Sequence, residues 1–275
     1  MRGEVMNNTL GTFIPNYNHG HLIERALSGV FDQELIPDQV IVYDDGSTDN
    51  SVEIVKRLQK KWPQITLIEG GKNIGGIHVS RKGMDLIQTR WINYLAADDA
   101  PASGIFAKAM AMADKYPDAG IIMGQMRITH EQTGAVKVTG VQGWDEPQYV
   151  SPDRFLNEYM RTHLPNHGLG SGTLWRKDAL VECGGFRADL FSWCDTFAAR
   201  AMALEYGAIY LPYPVVEKGY SETCYSHRMG RDMDVMLKVI DRGVQLMRSE
   251  QFRNLFPASY VYGWRRDYIK FLEQL

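Results

Sequence analysis

Residues 40–51, VIVYDDGSTDNS, decide the fold, because a strand built for burial runs directly into polar turn residues. Residues 40–42 are a run of branched apolar side chains, which is typical of a strand inside a parallel sheet. Asp44 and Asp45 follow at once, and a Gly-Ser-Thr turn leads into the next helical pattern. Paired carboxylates at the end of a core strand either cap a helix or serve a ligand.

The same alternation of strand and helix extends outward through the first ~130 residues, which predicts βαβ units and a mainly parallel sheet flanked by helices. The predicted strands are 10–14, 40–42, 65–69, 91–97 and 119–126, with helices near 22–30, 51–62, 74–88 and 103–116. Beyond residue 127 the periodicity weakens. A helix is predicted over 196–206, a strand over 208–212 and a helical tail from residue 231.

Charge and composition exclude several classes of function. The net charge of the 275 residues is −3, so no basic field attracts nucleic acid. No stretch reaches the roughly 20 apolar residues of a membrane span. The first residues lack the apolar core of a signal peptide, so a cytoplasmic location is expected. The three cysteines are too scattered for a disulfide framework or a Cys-x-x-Cys metal site.

Polar residues follow four predicted strands in succession. The carboxyl ends of parallel strands lie along one edge of a sheet, where ligands bind. An aromatic ring, two acidic pairs and a glycine turn with a lysine are therefore expected in one crevice. The four strand ends read Pro15-Asn16-Tyr17-Asn18, Asp44-Asp45-Gly46-Ser47, Gly70-Gly71-Lys72-Asn73 and Asp98-Asp99.

Binding of a nucleotide diphosphate is the chemistry that fits these four ends. The ring of Tyr17 would stack on a base, and Asp45 would accept a hydrogen bond from a base N–H group. Asp98 and Asp99 would hold Mg²⁺ or Mn²⁺, which bridges carboxylates and phosphate oxygens. Each feature also has a purely structural interpretation, a helix cap for Asp44 or half-buried packing for Tyr17, but four at successive strand ends favour a ligand site.

Four segments resemble the inverting family 2 glycosyltransferases of GT-A fold, a Rossmann-like fold of the nucleotide-diphospho-sugar transferase superfamily. They are IPNYNHGHLIERALSGVFDQ, IVYDDGSTDNS, NIGG with a following arginine, and YLAADDAPASG. The resemblance is close over about residues 9–125 and looser to about residue 215. It implies a divalent metal, Mn²⁺ or Mg²⁺, held by Asp98 and Asp99. The residues that it places around the donor nucleotide are Pro15, Tyr17, Asp44, Asp45, Lys72, Arg81 and Asp98.

Two positions depart from the pattern of the family. Ala96 replaces the first acid of the usual Asp-x-Asp motif, so metal binding is expected to be weaker. Cys194 replaces the first acid of the pair that follows the Gly-Gly-Phe turn, which leaves Asp195 as the predicted catalytic base. The alternative for Asp195 is an N-cap of its helix.

Three further segments carry candidate residues. His227, Arg228 and Arg231 form a basic cluster that either closes over the donor diphosphate or lies on the surface. His167 is a candidate for the acceptor site. The last helix mixes aromatic and basic residues, which fits a packing or homodimer helix better than peripheral contact with the inner face of a membrane.

The sequence thus predicts transfer of a sugar, from UDP as the first choice of carrier with GDP and dTDP open, to a hydroxyl of a glycan or lipid-linked saccharide, in bacterial-type surface glycan synthesis. Residues 1–127 would form the nucleotide-sugar-binding half, 128–230 the acceptor-side half and 231–275 a helical tail. One alternative is a catalytically inactive sugar-nucleotide-binding module, which the departures at positions 96 and 194 favour. A nucleotidyltransferase is disfavoured, because PNYNHG stands where such enzymes carry a glycine-rich basic loop.

Overall fold

The computed structural model describes residues 8–162, 171–220 and 232–274. Within these residues one sheet contains ten strands. The strands are β1 (Leu10–Asn16), β2 (Gln39–Asp44), β3 (Ile65–Glu69), β4 (Trp91–Tyr94), β5 (Asp99–Pro101), β6 (Ile121–His130), β7 (Val136–Val138), β8 (Gln148–Val150), β9 (Leu174–Arg176) and β10 (Ala208–Tyr220).

The order of the strands places the predicted strand ends side by side. The main path runs β3-β2-β1-β4-β9-β6-β10-β5, while β7 pairs with β6 and β8 with β10. The first four strands are parallel, as predicted, and β6 is parallel to β10. Strand β9 is antiparallel to both β4 and β6, so it joins the two parallel parts into one mixed sheet.

Helices flank the sheet, each with an apolar face on it or on another helix. In α1, residues at helical spacing such as Ile23, Leu27 and Val30 are fully buried. The helices are α1 (Gly20–Phe31), α2 (Ser51–Lys61), α3 (Gly76–Leu86), α4 (Ile105–Lys115), α5 (Pro152–Arg154, continued by a π-helix over Phe155–Met160), α6 (Lys177–Glu182), α7 (Cys194–Tyr206), α8 (Met233–Met247) and α9 (Ala258–Leu272).

The C-terminal helices belong to the core that surrounds α7. The indole rings of Trp193 and Trp264 lie 4.5 Å apart between centroids, and both side chains are buried. Gly243 of α8 lies against the same two rings, because any Cβ there would come within 3.0 Å of them. The aromatic face of α9 is therefore used for packing, in agreement with the packing interpretation of that helix. No helix of the described ranges is long and apolar enough to cross a membrane.

Strand β10 is longer than the sequence indicates, and its length matters for the site. The prediction ended it at residue 212, where Pro212 and Pro214 interrupt the pattern. In the structure the register shifts between Leu211 and Val216, so bulges accommodate the prolines and the strand continues to Tyr220. This extension pairs with the short strand β5, which the sequence did not predict.

Candidate active site

A cavity of about 580 Å³ opens where the carboxyl ends of β1 and β4 meet the start of α7. Polar and charged side chains reach it from strands and a helix that are far apart in sequence. The aromatic rings of its wall come from Tyr94, Trp175, Phe186 and Phe191. The residues predicted from the sequence that line it are Pro15, Asp98, Asp99 and Asp195.

Asp44 holds the turn that follows β2. Its Oδ1 accepts the backbone N–H of Ser47 at 2.8 Å, while Oδ2 accepts the Ser47 hydroxyl at 2.7 Å and the Asn16 amide at 2.8 Å. The carboxylate is buried. These bonds fix the ends of β1 and β2 to each other, which is the role of a turn-forming aspartate.

Asp45 organises the glycine turn of the next strand end. Its Oδ1 accepts the backbone N–H of Ile74 and its Oδ2 that of Gly75, both at 2.9 Å, and the side chain is only 3% exposed. Gly46 adopts a positive φ of 77°, and a Cβ there would lie 2.8 Å from the Cα of Lys72. The two turns therefore touch through backbone, which requires glycine. The contact of Asp45 with a base stays a prediction.

Asp98 and Asp99 lie at the floor of the cavity. Asp99 is 2% exposed, and its Oδ2 lies 3.3 Å from Nζ of Lys218. Burial is the main cause that raises the pKa of Asp99 to about 6, and the charge of Asp98 adds to it, while Lys218 and Arg25 oppose it. The guanidinium of Arg25 donates to the backbone carbonyl of Asp98, which ties this turn to α1.

The acidic pair fits a divalent cation in one specific respect. Among the described residues, Oδ1 of Asp99 is buried without any hydrogen-bond partner, although Asp98 and Asp99 both face the cavity. A buried unpaired carboxylate oxygen is costly unless a ligand satisfies it. Within the described ranges no group of three His, Cys, Asp or Glu residues could hold a metal ion, so the remaining ligands would have to come from the donor or from water.

Asp195 occupies the first turn of α7 and lines the same cavity. Trp193 takes the N-cap position, so Asp195 is not itself the N-cap, but its carboxylate still accepts a backbone N–H of the first helical turn. Its Oδ1 accepts the backbone N–H of Thr196 at 2.6 Å and the Thr196 hydroxyl at 3.3 Å. Burial raises the pKa of Asp195, opposed by these two hydrogen bonds and by the charge of Lys218.

Cys194 lines the cavity beside the predicted base. Burial, with the charge of Asp195, raises the pKa of its thiol, so the side chain is neutral at physiological pH. Position 194, where the family pattern has an acid, therefore adds no negative charge to the cavity. Asp195 carries the carboxylate of this wall alone within the described part of the cavity lining.

The other predicted residues lie apart from the cavity wall. Tyr17 is 41% exposed, and Lys72 is exposed on the glycine turn. Arg81 donates from Nη1 to the carbonyl of Phe186 at 2.9 Å, and it lines a second cleft of about 650 Å³ between α3 and the Gly184–Gly185 turn. His167, His227, Arg228 and Arg231 lie outside the described residues.

The sequence analysis did not suggest several polar residues of the cavity, and Lys218 is the lysine among them; others are His78, Ser80, Ser171 and Ser192. Lys218 stands in β10 directly opposite Asp99 of β5 in the antiparallel register. The segment VVEKGY carries no motif. Alternation of buried and exposed positions along β10 could have indicated which way Lys218 points, but the predicted strand ended at residue 212, before this lysine.

Comparisons with known proteins identify the family and the fold of the chain. The family model described as "Glycosyl transferase family 2" matches residues 12–184. Two curated relatives are an uncharacterised glycosyltransferase, YibD, of Escherichia coli (strain K12) and the GalNAc(5)-diNAcBac-PP-undecaprenol beta-1,3-glucosyltransferase of Campylobacter jejuni. YibD is 30% identical over 40% of this chain and 32% of its own length. The C. jejuni enzyme is 26% identical over 54% of this chain and 47% of its own length.

Solved structures share the fold at low sequence identity. The 1–349 fragment of S. aureus TarS, in complex with UDP-GlcNAc, superposes with a TM-score of 0.71 at 16% identity, over 96% of this chain and 73% of that one. The mannosyltransferase PcManGT from Pyrobaculum calidifontis, in complex with GDP-Man and Mn²⁺, gives 0.62 at 20% identity, over 86% and 64%. The family match spans well over half of the sequence, and the chain therefore belongs to glycosyl transferase family 2 and has the GT-A fold.

Proposed function

We propose that the chain transfers a sugar from a nucleotide diphosphate, UDP as the first choice, to an acceptor hydroxyl with inversion at the anomeric carbon. One observation carries this proposal: a single cavity brings the carboxylate of Asp195 together with the acidic pair Asp98 and Asp99. The solved relatives held UDP-GlcNAc and GDP-Man, which supports a nucleotide-sugar donor here.

Asp195 would act as the general base. Among the described residues, its Oδ1 is engaged by Thr196 and its Oδ2 accepts no hydrogen bond, which leaves Oδ2 for the proton of the acceptor hydroxyl. As the proton moves to Oδ2, the acceptor oxygen forms a bond to the anomeric carbon and the bond from that carbon to the diphosphate oxygen breaks. Inversion requires the acceptor oxygen to attack the face of the anomeric carbon opposite the leaving diphosphate, and Asp195 would hold the acceptor for that attack.

The leaving diphosphate gains negative charge, and its stabilisation is the second requirement. Asp98 and Asp99 are the residues that would hold Mn²⁺ or Mg²⁺, and the cation would supply positive charge to the diphosphate oxygens. Arg25 fixes the backbone of Asp98, and Lys218 faces Asp99, so the chain itself positions both carboxylates.

The aromatic wall gives the cavity a surface for sugar rings. Trp175 and Phe186 meet edge to face with centroids 5.2 Å apart, and Tyr94 meets the same phenyl ring at 4.9 Å. Trp175 and Phe186 are buried, whereas Tyr94 and Phe191 are partly exposed, so the last two rings are the apolar surface on which the C–H faces of a sugar would pack. A glycan or a lipid-linked saccharide is the acceptor class that we propose, and the C. jejuni relative, which is named for an undecaprenol-linked saccharide, supports it.

Calorimetric titration tests the proposal. UDP, GDP and dTDP are each titrated into the wild-type chain and into Asp98→Ala, with Mn²⁺ and with EDTA, and release of nucleoside diphosphate from the matching sugar nucleotide is then measured. We expect one of the three nucleoside diphosphates to bind, with an affinity that Mn²⁺ increases in the wild type and not in Asp98→Ala. We also expect slow hydrolysis of the matching sugar nucleotide, which Asp195→Asn should abolish. Binding without hydrolysis would favour the inactive binding module, and absence of binding to all three would overturn the donor assignment.

A further inference from the structure

The ammonium group of Lys218 is built into the floor of the cavity. Strand pairing sets Lys218 of β10 opposite Asp99 of β5, so the two side chains project from adjacent strands at the same level of the sheet. Nζ lies 3.3 Å from Oδ2 of Asp99, and the Lys218 side chain is only 24% exposed. A lysine on a strand end would ordinarily extend into solvent, whereas this one is held beside the buried carboxylate.

The ammonium of Lys218 lies among several carboxylates in the lining of the cavity. Of the described residues that line it, Lys218 is the one lysine or arginine, and it shares the space with the carboxylates of Asp98, Asp99 and Asp195. Its positive charge favours the ionised forms of both Asp99 and Asp195. Ala96 lines the same wall and contributes no carboxylate, so one acid that would compete for the ammonium is missing.

We propose that Lys218 is a second source of positive charge for the donor diphosphate, supplied by the chain and independent of any metal. The inference rests on the proposed function, since it assigns a role within the same site. A diphosphate placed against Asp98 and Asp99 without a cation would meet two carboxylates, and the ammonium of Lys218 is the group on that floor that attracts it. Charge-assisted hydrogen bonds from an ammonium to phosphate oxygens are strong enough to matter for affinity.

The competing interpretation is that Lys218 only balances the buried charge of Asp99. Both roles predict that removal of the ammonium harms the protein, so loss of activity alone does not separate them. The two roles predict a different dependence of nucleotide affinity on the number of phosphates that the ligand carries. A residue that contacts the diphosphate affects UDP more than UMP and leaves uridine unaffected, whereas a residue that only supports the fold affects all three ligands equally.

The experiment is calorimetry of uridine, UMP and UDP in EDTA on the full chain, with the guanosine series instead if GDP is the diphosphate that binds. We expect Lys218→Met to weaken UDP by about tenfold or more while uridine changes by less than about twofold. Lys218→Arg keeps a positive charge and should retain most of the UDP affinity. The matched control is Lys115→Met, at the exposed end of α4, which should leave the whole series unchanged.

A second pair of variants separates the lysine from the metal. Asp98→Asn should remove the gain in UDP affinity that Mn²⁺ gives, and in EDTA it should strengthen UDP binding or leave it unchanged, because one repelling carboxylate is gone. Lys218→Met should weaken UDP binding in EDTA and should keep the gain that Mn²⁺ gives. If Lys218→Met does not fold, the double variant Lys218→Met with Asp99→Asn removes both buried charges together and is tested in EDTA in its place.

Two outcomes overturn the inference, and a third concerns the function instead. An unchanged ratio of UDP to uridine affinity in Lys218→Met, or an equal loss for all three ligands, shows that the ammonium does not act on the diphosphate. If the wild-type chain binds none of the nucleoside diphosphates in either condition, the proposed function fails before the role of Lys218 is tested.

Discussion

Oδ2 of Asp45 accepts the backbone N–H of Gly75 at 2.9 Å, which joins the end of β2 to the start of α3. Gly75 itself lines the cavity, so this buried carboxylate sets the position of a wall that the donor would contact. The residue acts on the site through the backbone of the glycine turn.

Replacement of Asp45 by asparagine should therefore destabilise the chain. An amide offers one acceptor oxygen where the carboxylate offers two, so one of the N–H groups of Ile74 and Gly75 loses its partner. A buried unsatisfied donor costs about 1–3 kcal/mol, and we expect the free energy of unfolding in urea to fall by that amount. Glu69→Gln is the matched control, since that side chain ends β3 but is half exposed, at 53%, and should change stability by less than about 0.5 kcal/mol. Equal stability of the two variants would contradict the role of Asp45.

Asp195→Asn should separate chemistry from donor binding. The amide cannot take the proton of the acceptor, so kcat should fall by about 10²–10⁴-fold while the Kd for the nucleoside diphosphate stays within about twofold. The control is Asp189→Asn, which removes an exposed carboxylate paired with Arg242 in the segment just before α7. A variant Asp195→Asn that retains wild-type kcat would exclude this residue as the base.

The pH dependence of the rate should report the same carboxylate. Burial raises the pKa of Asp195 above the ordinary value of about 3.9, and a base acts only when ionised, so kcat/KM should rise with pH through an ionisation above that value. Thr196→Val removes a hydrogen bond from the hydroxyl to the ionised form, so the pKa should rise further and the acidic limb should move to higher pH. Thr66→Val, on the exposed side of β3, should leave the profile in place. A limb that moves to lower pH in Thr196→Val would contradict this assignment.

Ala96→Asp should make donor binding depend more strongly on metal. Position 96 is exposed on the cavity wall, so a carboxylate fits there without repacking. With Mn²⁺ the added ligand should increase UDP affinity, and in EDTA the added negative charge should weaken it, so the ratio of the two Kd values should widen by about tenfold. Ala96→Asn, of the same shape but neutral, should leave the ratio near that of the wild type. If both variants behave alike, charge at this position does not control metal use.

At position 191 a glycine variant should be more stable than an alanine variant, which reverses the usual order of stability for these two residues. The φ of 46° and ψ of −129° of Phe191 are strained for any residue with a Cβ. Phe191→Gly and Phe191→Ala both remove the ring from the cavity wall and should both lower activity. The glycine variant, however, should be more stable than the alanine variant by about 1 kcal/mol, because glycine adopts this conformation without strain. Thermal unfolding of the pair measures the difference, and a more stable alanine variant would contradict the strain.

Local patterns were sufficient to predict the parallel half of the fold. The strands from β1 to β4 and their helices follow from apolar runs, helical spacing and turn residues, all of which act over a few neighbours. The pairing of β5 with β10 brings Asp99 next to Lys218. Because these residues are distant in sequence, no pattern among neighbouring residues predicts the pairing. Pro212 and Pro214 argue against a strand, and only the bulges seen in the structure show how the sheet accepts them.

The site was predicted unevenly for the same reason. Asp98, Asp99 and Asp195 line the cavity as expected, although β4 ends at Tyr94 and not at residue 97, and Asp99 begins the unpredicted strand β5. The contact of Asp45 with a base stays a prediction, and the structure adds that its carboxylate accepts the N–H groups of Ile74 and Gly75. Backbone donors leave no residue-type signal, so the sequence does not reveal that partner.

The adjacent, tilted indoles of Trp193 and Trp264 provide an optical reporter beside the predicted base. Trp193 precedes Cys194 and Asp195 directly, and its ring lies 4.5 Å from a residue of α9, so the two chromophores are close enough to couple electronically. Near-ultraviolet circular dichroism of this pair would register any change in how the last helix sits on α7. The signal requires no label, and it reports on the cavity wall that carries Asp195 from Trp193 and Trp264, which are buried and lie outside the cavity lining.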